Sequence, residues 1–179
     1  MAFRLVRGTA AALLVAGLSG ALIFALPGEV WARTPWAQAA TDLKPDATIR
    51  FGVLPNGLRY AIKPNHNPAG TVSLRLRIAA GSLHESESER GVAHFLEHMA
   101  FKGSKNYPEG EMFKALQRMG LAIGANANAS TDFDNTTFSL ALPSVRADIL
   151  NTGLNVLREI GGRSALPAQA SARERGVIQ

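Results

Sequence analysis

An α+β fold, with helices packed on a largely antiparallel sheet, is predicted by three observations. Two short β-type runs flank Pro55-Asn56-Gly57, and Asn-Gly between such runs is a strong hairpin signal. A third run, residues 71 to 81, alternates Val72, Leu74, Leu76 and Ile78 with Ser73, Arg75 and Arg77. That is the period of a half-buried strand, apolar on one face and basic on the other. Helical patterns come after the strands without regular βαβ alternation, which argues against a parallel sheet. A composition 46% hydrophobic and 18% charged suits a packed domain rather than a disordered chain.

The first 40 residues stand apart. Arg4 and Arg7 precede an uncharged run from Gly8 to Leu26, then Pro27 and small residues, with Val30-Trp31-Ala32 and Ala37-Gln38-Ala39 both fitting a cleavage site. This reads as an export signal. Its apolar stretch is longer than the usual ~7 to 15 residues and just reaches bilayer length, so two readings stand: a cleaved signal peptide, favoured by the small-residue sites, or an uncleaved N-terminal anchor. Residues 1–40 are therefore a leader and short linker. The chain beyond them is expected outside the cytoplasm, in a bacterial periplasm or otherwise exported, with membrane contact only if the leader stays.

Charge and cysteine content narrow the chemistry. From Thr41 onward 16 Lys and Arg face 13 Asp and Glu, scattered and without aromatic interleaving, so nucleic-acid binding finds no support. Cysteine is absent, which removes disulfides, thiolate ligands and thiol nucleophiles alike. Catalysis would have to come from His, Glu, Asp or Ser.

Past the third strand, residues 82 to 91 form a polar loop with a capping box, Ser86 with Glu89, ahead of a helix that carries "HFLEHM". "PEGEMFKALQRMG" predicts a helix with Met112, Phe113, Leu116 and Met119 on one side and Gly120 as its stop. "GANANASTDFDNTTFSLALP" predicts one or two strands, and "RADILNTGLNVLREIGG" an amphipathic helix ending at Gly161 and Gly162. Pro167 opens a last helical stretch.

The chemical signal is His94-Phe95-Leu96-Glu97-His98. At about 100° per residue, Val92, Phe95, Leu96 and Met99 cluster on one helix face, while His94, Glu97 and His98 share an arc on the other. A merely solvated face is the bland alternative. With four His and nine Glu in the chain, however, His-x-x-Glu-His arises by chance in roughly four of a thousand such sequences. Residues i and i+4 project side by side, so His94 and His98 can each place a ring nitrogen about 2.0 to 2.1 Å from one zinc ion. Glu97 then points beside the metal, the position for a base that takes a proton from water. The pattern is the reverse of His-Glu-x-x-His and is what an inverzincin requires. His66, in a turn-rich stretch, reads as a solvated loop residue, and His84 with Glu85 as loop entry or capping, or as groups approaching the site.

"GSLHESESERGVAHFLEHMAFKGS" resembles the signature of the pitrilysin family of zinc metallopeptidases, which includes insulysin, the mitochondrial processing peptidase and many exported bacterial peptidases. "FGVLPNGLRY" is similar to the family's opening hairpin, and "RERGVI" to the start of its later glutamate-bearing helix. The resemblance implies a zinc endopeptidase held in a clam-shell of homologous domains, with His94 and His98 as zinc ligands and Glu97 as catalytic base. It also implies an edge strand in which Asn128, Ala129 and Ser130 pair with an extended peptide substrate. An unpaired strand edge can accept a peptide as one more strand, and the alternative for this stretch is a small-residue strand or turn without a ligand.

The third ligand of the family is a glutamate seven residues after the one matching Glu174, hence past Gln179. Glu174 itself reads as a residue that supports a ligand from behind or braces its helix, or as a solvated helix charge. Residues 41–179 are accordingly expected to be the N-terminal part of a peptidase domain, truncated and inactive by itself, belonging to a parent zinc metalloendopeptidase. Partners would be a peptide substrate and further homologous peptidase domains, in the same or a partner chain. The alternative is an inactive structural or peptide-binding homologue that keeps the fold without a complete zinc site, and metal binding without catalysis is a third reading.

Overall fold

The computed structural model describes residues 36–178. The leader reading, which rests on residues before 36, lies outside the described residues apart from the second cleavage site, where Ala37–Ala40 form a 3-10 turn. Among the described residues no helix is long and apolar enough to cross a membrane. The chain divides into two units, one reaching Pro64 and one from Asn65 onward.

In the first unit, β1 (Arg50–Val53) and β2 (Arg59–Ile62) pair antiparallel, with Arg50 opposite Ile62 and Val53 opposite Arg59. The Asn-Gly signal acts as read from the sequence. Gly57 takes φ +86°, a left-handed conformation that costs glycine little, and Asn56 Oδ1 accepts the Leu58 N–H. Trp36 packs on Phe51 with ring centroids 4.9 Å apart, and the Arg59 guanidinium lies 5.1 Å from the Trp36 ring centroid, within cation–π range.

The second unit is mixed α+β with an antiparallel sheet, as expected. Its strands β3 (Val72–Ile78), β4 (Ala127–Thr131) and β5 (Thr136–Leu142) lie in the order β3-β5-β4, both pairings antiparallel. Its helices are α1 (Val92–Met99), α2 (Glu111–Arg118), α3 (Ala147–Gly162) and α4 (Ala168–Ile178). The alternation in β3 is realised: its apolar residues pack on the core while Ser73, Arg75 and Arg77 face outward. Helix α3 buries Gly153, Val156, Leu157 and Ile160, the i, i+3, i+4, i+7 stripe of a helix laid on a sheet. Met112 and Leu116 of α2 and Leu140 and Leu142 of β5 complete that core. Each such side chain taken from water contributes about 1.5 to 3 kcal/mol before ordering costs.

One buried charge ties the chain after α1 to α3. Glu159 is 2% exposed, and accepts from Ser104 Oγ at 2.8 Å, Asn106 N at 3.0 Å and Asn106 Nδ2 at 2.7 Å, with Arg163 3.3 Å away. Burial pushes its carboxyl up, but the hydrogen bonds from Ser104 and Asn106 outweigh burial and hold it below the ordinary range. Helix α1 and its C-terminal connection are thereby fixed to the main core.

Gly81 fixes the other approach to α1. A Cβ there would collide with the Asp132 and Phe133 carbonyls, so only glycine lets the turn after β3 lie against the β4–β5 turn. Ser82 N and Leu83 N donate to those same two carbonyls at 3.1 and 2.8 Å.

One sequence expectation is met at a different element, and another fails locally. Ser86 and Glu89 do bond each other, Ser86 Oγ donating to Glu89 Oε2 at 2.7 Å, but they close their own 3-10 turn at Glu87–Glu89 rather than capping the motif helix. The two faces of α1 also depart from the helical wheel. Met99 is fully buried, yet Val92 and Leu96 are 43% and 45% exposed, and Glu97 is only 9% exposed. The reason is tertiary: α1 is wedged between β4 and α4, so the Glu97 and His98 side faces protein while the Val92 and Leu96 edge does not.

Candidate active site

Helix α1 begins at Gly91, whose φ of +86° turns the chain into the helix. The N-terminal amide groups of such a helix need acceptors, and a carboxylate there also meets the positive end of the helix dipole. Glu85 supplies both: its Oε2 accepts from Gly91 N at 2.8 Å and its Oε1 from Ala93 N at 2.7 Å. The capping alternative read for Glu85 is thus the geometry found. His84 turns away, its Nδ1 accepting from Gly81 N at 3.2 Å, and His66 stays exposed in its loop.

The bonds from Ala93 and then Gly91 hold the Glu85 carboxyl below its ordinary range, with desolvation opposing. A group whose folded pKa is depressed stabilises above its unfolded pKa and loses that contribution as pH falls through the folded one. Glu85→Ala is therefore expected to lower Tm by about 2 to 4 °C near neutral pH, as the loss of an N-cap does. The difference from wild type should shrink below the ordinary carboxylate range. Thermal melts of both proteins from pH 7 down to pH 3 check this; a difference that persists undiminished at the acid end contradicts the capping role.

One turn apart on α1, His94 and His98 bring their Nε2 atoms to 3.1 Å, with ring centroids 4.6 Å apart and planes 86° to each other. Two nitrogens bound to one tetrahedral zinc at 2.0 to 2.1 Å lie roughly 3.3 Å apart, so the pair fits a shared ion. The His98 tautomer suits it as well. Glu174, reaching in from α4, accepts from His98 Nδ1 at Oε1, 2.7 Å away, and in the neutral ring that bond directs the lone pair to Nε2. Its other oxygen, Oε2, receives Lys102 Nζ at 2.9 Å. Those contacts, His98 first and Lys102 second, hold the buried Glu174 carboxyl below the ordinary range against desolvation. Among the described residues no third His, Cys, Asp or Glu joins the two imidazoles to form a ligand set.

Glu97 points to β4, where its Oε2 accepts from Thr131 Oγ1 at 2.6 Å. Two clefts meet at this carboxylate. One, of about 240 Å³, runs past His98, Phe101, Lys102, Phe113 and Glu174. The other, of about 410 Å³, runs past Ser82, Glu85, His94 and Asp132. Ala129 of β4 borders both.

Among the described residues strand β4 has β5 on one side and no strand on the other. Ala141 N donates to Asn126 O and Asp132 N to Asn135 O, so the hydrogen-bonded pairs of this antiparallel ladder fall at even positions of β4. The backbone groups of Asn128 and Ser130 consequently face β5, and those of Ala127, Ala129 and Thr131 face the outer edge. Ala127 already bonds the 122–124 loop through both N and O. Ala129 and Thr131 remain directed outward, with Ala129 N held by the neighbouring Asn128 Oδ1 at 2.9 Å. Of Asn128, Ala129 and Ser130, the edge places Ala129 to hydrogen-bond a strand through its backbone, and leaves Asn128 and Ser130 only their exposed side chains.

Sequence reasoning missed Thr131 and Lys102. Thr131 lies 34 residues from Glu97 and carries no local signal; only the pairing of β4 and its packing on α1 bring the two together. Lys102 comes four residues after His98, a helical spacing that was available to be read.

The family model for insulinase, peptidase family M16, matches residues 60–179. Over 135 residues the chain is 42% identical to the probable zinc protease PqqL of Haemophilus influenzae, covering 75% of this chain and 14% of that protein. Over 144 residues it is 37% identical to the probable zinc protease PqqL of Escherichia coli, covering 80% and 16%. The crystal structure of the first half of the periplasmic protease PqqL from Escherichia coli superposes with a TM-score of 0.73 at 37% identity, over 75% of this chain and 29% of that one. The chain thus spans about one-sixth or less of the length of these two curated relatives.

Proposed function

The chain belongs to the insulinase family of peptidases, M16, and on that premise we propose that it carries two zinc ligands and the catalytic base of an exported zinc endopeptidase acting on peptides or unfolded segments. The observation that carries the proposal is the pair of ε nitrogens 3.1 Å apart, with the Glu97 carboxylate one residue before the second of them and set between two clefts. His94 and His98 would hold the ion, and Glu174 would fix the tautomer and orientation of His98. The third ligand is expected seven residues after Glu174. A bound zinc ion supplies Lewis-acid charge for polarising a carbonyl and acidifying water.

The other roles belong to this chain's residues. Glu97 takes a proton from the attacking water and returns it to the leaving amine. The outer edge of β4 receives the substrate as an added strand, Ala129 exchanging its Asn128 contact for a peptide carbonyl, with Asn128 and Ser130 offering side-chain contacts. Residues 41–179 are the N-terminal part of the peptidase domain, and further homologous domains in the same or a partner chain close the chamber. The periplasmic description of the Escherichia coli PqqL supports an exported, periplasmic setting.

Metal removal tests the reading. Dialysis of the complete protein against a chelator should abolish cleavage of an unstructured peptide, with zinc restoring it and magnesium failing to, because imidazole ligands suit zinc and magnesium prefers oxygen. Cleavage that survives full demetallation overturns the proposal. Zinc-loaded protein that binds the peptide and never cleaves it establishes the peptide-binding homologue instead.

A further inference from the structure

We infer that Thr131 is the positioning residue of the base: its hydroxyl proton fixes one oxygen of Glu97 and aims the other at the reacting water. The inference rests on the peptidase reading of Glu97. Thr131 Oγ1 has two oxygens within reach, Glu97 Oε2 at 2.6 Å and Thr136 Oγ1 at 3.4 Å. Thr136 spends its own proton on the Ala80 carbonyl, 2.9 Å away, and so gives none to Thr131. Of the two acceptors left to Thr131, the carboxylate is the nearer and the charged one, so its single proton goes there, at the length of a charge-assisted O–H···O⁻ bond.

Among the described residues no protein donor reaches Glu97 Oε1, so one oxygen is anchored and the other is left for chemistry. The anchor sits in a part of the chain that a substrate itself engages. Thr131 belongs to β4, and its backbone N–H and C=O face the same outer edge that Ala129 offers to a peptide. A strand added at that edge holds the backbone of Thr131 in place and with it the hydroxyl that aims the base. Substrate alignment and base alignment then share one residue, whereas a base held only by its own helix would not sense the edge. The Thr136 and Ala80 contacts brace Thr131 from behind, where β3 and β5 end together.

The experiment compares Thr131→Val, Thr131→Ser and Glu97→Gln in the complete, zinc-loaded protein, with metal content, kcat and KM read separately on an unstructured peptide. Valine matches the shape and lacks the proton. It should keep stoichiometric zinc and KM within about twofold while kcat falls roughly 10- to 100-fold, the scale of a mis-aimed catalytic group. Serine keeps the proton and should hold kcat within about threefold of wild type. On a Glu97→Gln background the valine change should move the residual rate by less than about twofold, because it acts through the missing base.

Should valine unfold the edge, seen as lost zinc and an early melt, the serine variant decides: a kcat as low as that of Glu97→Gln in a folded, zinc-replete serine variant shows that the methyl matters and not the proton, and overturns the inference. Wild-type kcat in a folded Thr131→Val overturns it also. Those results leave the peptidase reading standing, whereas wild-type turnover by Glu97→Gln removes that reading itself.

Discussion

Glu97→Gln in the complete protein is expected to retain zinc while peptide hydrolysis drops by roughly 100- to 10,000-fold, the usual worth of a positioned acid–base group. Glutamine preserves the volume in a place where only 9% of the residue is exposed, so the packing of α1 on β4 should survive. Its amide oxygen can still accept from Thr131 Oγ1, which now sits 2.6 Å from Glu97 Oε2. What it cannot do is take up a proton. Neither imidazole is touched, and the contact of Glu174 with His98 lies on the far side of that ring. The comparison needs metal content and kcat on the same preparations. Wild-type turnover by the zinc-loaded variant removes Glu97 as base; loss of zinc along with activity says instead that Glu97 helps to hold the metal.

The site was legible in the sequence to the extent that it is local. His94, Glu97 and His98 lie within one and a half helical turns, and a helix fixes their mutual directions whatever it packs against. Strand β3 was equally legible, because one buried face imposes period two on Val72, Leu74, Leu76 and Ile78. The rest depends on what the helix and strands meet. A helical wheel places Glu97 with the two histidines but does not say that a strand 34 residues further on covers it, and it scores Val92 and Leu96 as core although both lie 43% or more exposed. An exposed leucine is ordinary; a buried carboxylate is the informative departure.

The cap of α1 escaped the sequence for a different reason. Ser86-x-x-Glu89 satisfies the capping box by closing its own short turn, while the carboxylate that caps α1 stands six residues before Gly91, a spacing that matches no standard signal. The edge of β4 shows the third kind of limit. Sequence alternation tells which face a side chain takes, whereas the outward direction of the Ala129 backbone comes from parity with β5, set by the turn where Asp132 N meets Asn135 O.

Replacing His94 and His98 together by alanine should strip the protein of zinc, and each single replacement should weaken binding by more than about 100-fold, beyond the 10- to 100-fold that loss of an outer-shell partner usually costs. The two single variants are not equivalent. His94 is exposed, and among the described residues its ring nitrogens hydrogen-bond no side chain but His98, so its removal subtracts a ligand and little else. His98 Nδ1 also donates to Glu174 at 2.7 Å, and its loss leaves that buried carboxylate, among the described residues, with Lys102 as its remaining side-chain partner. A buried carboxylate oxygen stripped of its donor costs stability even while its charge stays paired, so His98→Ala should melt earlier than His94→Ala even in metal-free buffer. Glu174→Gln gives the intermediate case: the His98 Nδ1 proton keeps an acceptor but the carboxylate charge is gone, and zinc affinity should fall within the 10- to 100-fold band. Zinc content after dialysis, competition with a chromophoric chelator and melts in metal-free buffer measure all three. Stoichiometric zinc in the double alanine variant would place the metal elsewhere in the protein, and with it the reading of the motif helix as anything more than a solvated surface would end.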